Sequence, residues 1–249
     1  MNHPTPVRLA FILLISIVFS ASAADRKFKT ENVILITTDG LRWQDLFTGA
    51  DPDLLNKEDG GVADTSFLRE KFWRETPEAR RETMMPFMWN VIAKKGQIFG
   101  NQNKGSVVRV SNGRNFSYPG YNEILTGWAN SNINSNAKIL NPTPTVFEWL
   151  NHKPAFANRV GIFSGWDVIP FIVNRDRAGF PVMGGWEPVP DKNPNDREKL
   201  LNSLISEMTR VNDTEVDDPL LYHAADEHFR KHKPRVFMVG FLETDHWGH

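Results

Sequence analysis

The chain of 249 residues contains no cysteine. That excludes disulfides, thiolate metal sites, iron–sulfur clusters, a Cys nucleophile and a lipoprotein anchor. Net charge is nearly absent too: 29 Lys and Arg against 30 Asp and Glu leave −1 at pH 7. Such a balance offers no broad basic face, so a nucleic-acid polymer is not an expected partner. There is no Walker loop, no Gly-x-Gly-x-x-Gly, no internal repeat and no low-complexity linker. What is present is ordinary: 40% hydrophobic and 24% charged residues suit a folded domain with a sizeable core.

Long apolar runs are also missing, with one exception. Residues 1–8 carry Arg8, LAFILLISIVF follows, and Ala21-Ser22-Ala23 supplies a small-x-small pattern. This is the layout of a secretory signal peptide, and the run is short for a membrane span. Residues 1–23 are therefore expected to be removed. Residues 24–249 would remain as one exported domain, periplasmic or secreted, with no membrane anchor. Without disulfides, its stability must come from its core or from bound metal.

The remainder alternates between strand and helix patterns. Asn32–Thr38 (NVILITT) and Arg235–Leu242 (RVFMVGFL) are β-branched or apolar runs of the kind buried in parallel sheets. Val107–Ser111 and Arg159–Phe163 are weaker strand patterns. Pro86–Lys95 reads as a helix stopped by Gly96. Asp196–Val211 places Leu200, Leu201, Leu204, Ile205, Met208 and Val211 on one helical face, and Pro219–Lys231 repeats the pattern. The Pro/Gly/Asp/Asn-rich stretch 174–196 reads as a long surface loop. The alternation predicts an α/β fold with a mostly parallel sheet.

Three polar clusters fall at the ends of these elements. Asp39 follows the first strand in Thr-Thr-Asp-Gly, a place where ligands collect in open α/β sheets, although Asp-Gly there is also a plain turn signal. Ser117, two residues before Pro119, reads as a helix N-cap. The same position lies at the positive end of the helix dipole, a ready anion site, so cap and nucleophile readings coexist. Asp245 and His249 follow the last strand four residues apart, a spacing that lets an oxygen and a nitrogen face one cation.

In this order the motifs resemble the alkaline phosphatase superfamily, and most nearly its type I phosphodiesterase/nucleotide pyrophosphatase branch. The likeness runs from Asn32 to His249 and includes Ser117-Tyr118-Pro119 through Ile124-Leu125-Thr126-Gly127. It implies an alkaline-phosphatase-like α/β/α sandwich and a two-metal phosphoryl-transfer site acting on a small phosphate ester. Asp39 would hold the first metal, which also contacts the nucleophile Ser117. Asp245 and His249 would hold the second. Zinc suits an Asp/His donor set, with manganese an alternative. A phosphoserine intermediate is implied, followed by attack of water. Asn136, or Asn134, would hold a phosphate oxygen; the Asn-rich run 130–136 is equally readable as a loop.

The resemblance also implies an Asp-His pair and a further His later than His249. The sequence is thus expected to be part of a longer chain, inactive alone and without the C-terminal part of its domain. Rival readings are weaker. A sulfatase would need Arg where Tyr121 stands. His223, Glu227 and His228 have zinc-protease character, but at a spacing one residue too long. His228 and His232 can chelate a metal at i, i+4, yet with Arg230 and Lys231 they equally suit a helix C-terminus. Trp43, Trp128, Trp166 and Trp247 lie near the motifs and can stack on a substrate ring or simply pack. A non-catalytic or sulfatase-like member of the same fold is the alternative.

Overall fold

The computed structural model describes residues 29–248. The signal segment 1–23 and His249 lie outside the described residues. From Ile34 onward the chain forms one unit. Its sheet has four strands: β1 (Val33–Thr38), β2 (Val160–Ser164), β3 (Val182–Gly184) and β4 (Val236–Phe241). All are parallel, in the order β1-β4-β2-β3. The principal helices are α1 (Trp43–Thr48), α2 (Thr65–Phe72), α3 (Pro77–Met84), α4 (Ser117–Thr126), α5 (Val146–Asn151), α6 (Asp196–Glu207), α7 (Asp218–His232) and α8 (Glu243–His246).

The period-2 pleat sorts the apolar strand residues into two clusters. Val160, Ile162, Val182, Val236 and Met238 join Tyr118, Tyr121 and Leu125 of α4. Phe163, Met183, Phe237 and Val239 join Leu201 and Ile205 of α6 and Leu221, Ala224 and Ala225 of α7. Helices therefore cover both faces, which is why β2 and β4 read as continuous apolar runs. Each fully buried Ile or Phe there contributes about 1.5–3 kcal/mol. Gly240 is dictated by the same crowding. A Cβ on it would lie 2.9 Å from Ser164 Oγ and 3.1 Å from Thr37 Oγ1 on the flanking strands.

Three expectations need correction. Val107–Ser111 forms no strand; Val107 and Val108 are exposed, and nothing there pairs with the sheet. Stretch 174–196 is not a surface loop: it contains β3 and buries Ala178, Val182, Met183, Trp186 and Val189. Its Pro and Gly residues punctuate short buried pieces rather than solvent-facing chain. The apolar face expected on 196–211 is narrower than its pattern. Only Leu201 and Ile205 are buried, Leu200 and Leu204 are exposed, and the helix ends at Glu207. Pro86–Lys95 is helical as expected, but its middle is a π-helical turn over Met88–Ile92.

Candidate active site

The carboxyl ends of β1 and β4 lie side by side, and Asp39 N–H donates to the Phe241 carbonyl at 3.0 Å. Helix α8 starts two residues after β4. The Thr244 hydroxyl at its start donates to the Asp39 carbonyl, tying the two strand ends together. Gly40 makes this approach feasible. Its φ is +71°, and a Cβ would fall 2.3 Å from Asp245 Cα. Strand order thus brings Asp39 against Asp245 across more than 200 residues of chain.

Helix α4 delivers the nucleophile candidate. Phe116 takes the extended N-cap position and caps nothing with its side chain, so Ser117 is the first helical residue and Pro119 the third. The N-cap reading of Ser117 is therefore corrected. Its hydroxyl instead donates to Asp39 Oδ1 at 3.3 Å. The missing cap comes from Asn136, whose Oδ1 accepts Tyr118 N–H at 3.0 Å. Asn136 is thereby placed at the positive end of α4 beside Ser117. Asn134 lies elsewhere, lining an apolar cavity of about 340 Å³ with Tyr118 and Ile133.

Electrostatically the site is strained toward cations. Burial and then the nearby Asp245 charge raise the Asp39 pKa, although hydrogen bonds from Ser117 and Gly40 N–H oppose the rise. Asp39 Oδ2 is buried with no hydrogen-bond partner among the described residues. Tyr121, one turn below Ser117, is 5% exposed and sits 3.2 Å from Thr37 Oγ1. Burial and the Asp39 charge push its phenol upward, so it stays protonated. Asp39, Ser117 and Tyr121 line a cavity of about 170 Å³. Gly40, Thr244 and Asp245 open onto a cleft of about 760 Å³ that also includes Arg42, Asp59 and Trp247.

Several neighbours were not legible as site residues. Tyr121 was passed over as a site residue, although its i+4 spacing from Ser117 puts it on the same helical face. Glu215 gave no signal. It arrives through an antiparallel bridge to Trp166, with its carboxyl 3.8 Å from His246 Nδ1. Burial raises the Glu215 pKa, His246 lowers it, and Asp245, Asp39 and Asp167 raise it further. Of the tryptophans, Trp166 is buried against Tyr121, whereas Trp128 and Trp247 are exposed. The zinc-protease reading finds no support, because His223 faces solvent while His228 is buried against Phe163 and Phe237.

Comparison of the chain with protein-family models, with curated proteins and with solved structures finds no match.

Proposed function

We propose that this protein is an exported metal-dependent phosphoesterase, acting on a small mono- or diester through Ser117. The observation that carries the reading is the pairing of Ser117 Oγ with Asp39 Oδ1, at a helix N-terminus and beside a second strand-end carboxylate. The donor set fits a divalent cation. Asp39 presents a buried oxygen without a partner, and Asp245 adds a second negative charge that raises its pKa. Asp39 would hold one ion together with Ser117, and Asp245 would contribute to the other with His249. The cation supplies Lewis acidity, which makes a serine hydroxyl a competent nucleophile near neutral pH.

The chain's own residues do the rest. Asp39 aims the Ser117 hydroxyl, while Thr244 and Gly40 N–H hold Asp39 in place. Ser117 Oγ gives up its proton to solvent and attacks phosphorus, and the bond to the leaving oxygen breaks in line. The leaving oxygen takes a proton from solvent. The phosphoryl group then sits at the positive end of α4, where the dipole and the Asn136 amide favour its negative charge. Water hydrolyses the phosphoserine and regenerates Ser117. The test is trapping: protein from its full reading frame, loaded with Zn²⁺ and given p-nitrophenyl phosphate or its diester, should carry a phosphoryl group on Ser117. Undiminished turnover by Ser117→Ala would sink the reading.

A further inference from the structure

A second cluster of metal-ligating groups lies away from the strand-end site. Asp191, Glu198 and His232 bring one ligand atom each to within 4.8 Å of one another. They come from three places: the segment before α6, the first turn of α6 and the last turn of α7. Glu198 is fully buried and its Oε1 has no hydrogen-bond partner among the described residues. His228, 2% exposed, packs at a tilt against His232 with centroids 4.4 Å apart, and its Nδ1 has no hydrogen-bond partner among the described residues. A Lys231 ammonium bridges the two carboxylates, 2.7 Å from Glu198 Oε2 and 2.9 Å from Asp191 Oδ2, and His232 Nε2 lies 2.6 Å from Asp191 Oδ2.

We propose that Asp191, Glu198 and His232 form a structural zinc site, in which Zn²⁺ replaces the Lys231 ammonium. Two carboxylates and an imidazole are a fitting donor set, and their two negative charges match one divalent ion. Ligand atoms around one tetrahedral zinc lie roughly 3.4 Å apart, so the cluster closes with a shift of about an ångström. Lys231 can make way: its side chain is 28% exposed and carried on a flexible stem. The buried Glu198 Oε1 without a hydrogen-bond partner among the described residues is what an ion-pair network alone leaves unexplained. In a chain without cysteine, such an ion would do the cross-linking work of a disulfide, tying α6 to α7.

The experiment uses protein from its full reading frame carrying Asp39→Ala and Asp245→Ala, which removes zinc bound at the strand ends. The protein is stripped with chelator, given Zn²⁺ alone, gel-filtered and assayed for metal. One equivalent should remain and raise the thermal midpoint by roughly 5–10 °C at a hundredfold excess over its dissociation constant. His232→Ala in that background should weaken binding roughly a hundredfold. Lys231→Met should tighten it, because the competing ammonium is gone. An absence of retained zinc, or a Lys231→Met affinity that is equal or weaker, overturns the proposal, and the latter decides even where His232→Ala does not fold. The strand-end reading fails separately, if the unmutated protein holds no more zinc than this background.

Discussion

Two carboxylate clusters sit at opposite ends of one parallel sheet, and they are compensated differently. At the carboxyl ends of β1 and β4, Asp39 feels the Asp245 charge, and burial raises its pKa. In the Asp191–Glu198–His232 cluster, Asp191 is pushed up by burial, but Asn193 N–H, Lys231 and His232 outweigh that and hold it down at about 2. Burial acts on both carboxylates in the same direction. The sign of the net shift is decided by what faces the carboxylate: the Asn193 N–H, Lys231 and His232 at Asp191, a second carboxylate at Asp39. A carboxylate kept without that compensation costs stability, and such costs concentrate where chemistry needs them. On the two proposals above, the uncompensated end would act on substrate and the compensated end would hold the fold together.

Variants can break that contrast. The largest effect belongs to Ser117→Ala, expected to lower kcat by on the order of 10⁴–10⁶ in the zinc-loaded protein while leaving its thermal midpoint nearly unchanged. Equal loss of folding and activity would instead assign Ser117 to structure. Next, Lys231→Met makes the far cluster resemble the strand-end one. Chelator-treated variant protein should lose about 2–4 kcal/mol in urea denaturation, since Glu198 stays buried without its cation. The partial exposure of Lys231 places the value below that of a fully buried pair.

The same cluster predicts an acid-sensitive step. Burial, then His232, depress the His228 pKa from 6.5 to about 4, and the charged groups around it are Asp191, Lys231 and His232. The unfolded chain takes up its proton near pH 6.5, the folded chain only near pH 4. The stability held by the neutral ring is thus complete above pH 6.5 and declines as pH falls to about 4, by about 3 kcal/mol in all. His228→Leu gives up no hydrogen bond of Nδ1 and should flatten that decline, which urea titrations at pH 7 and pH 4.5 would register.

Much of the strand-end site was legible because local patterns carried it. β1, β2 and β4 are short buried runs, and Asp39 and Asp245 directly follow two of them. Ser117 was placed at a helix start, but its role as a cap was misread, because an extended Phe116 looks no different in sequence from a first helical residue. β3 was hidden by its length of three residues and by flanking Gly and Pro. Glu215 and Thr244 owe their places to a bridge and to strand order, and neither has a local signature. The Asp191–Glu198–His232 grouping is likewise tertiary: only the i, i+4 spacing of His228 and His232 hinted at it.

Asp39→Asn gives the smallest shift and the finest test. Because burial and Asp245 raise the Asp39 pKa, its ionised form is less welcome in the fold than in the unfolded chain. Protonation as pH falls through that raised value therefore stabilises, and the strain is fully present at neutral pH. Asparagine removes the charge and keeps an acceptor for Ser117 and Gly40 N–H. Chelator-treated Asp39→Asn should melt slightly higher than the unmutated protein at pH 7, and the gain should vanish at acid pH, where Asp39 is itself neutral. It should simultaneously lose zinc-dependent turnover. A variant that melts lower would mean that Asp39 is held by its hydrogen bonds rather than strained by its neighbour, and the two ends of the sheet would then no longer differ in kind.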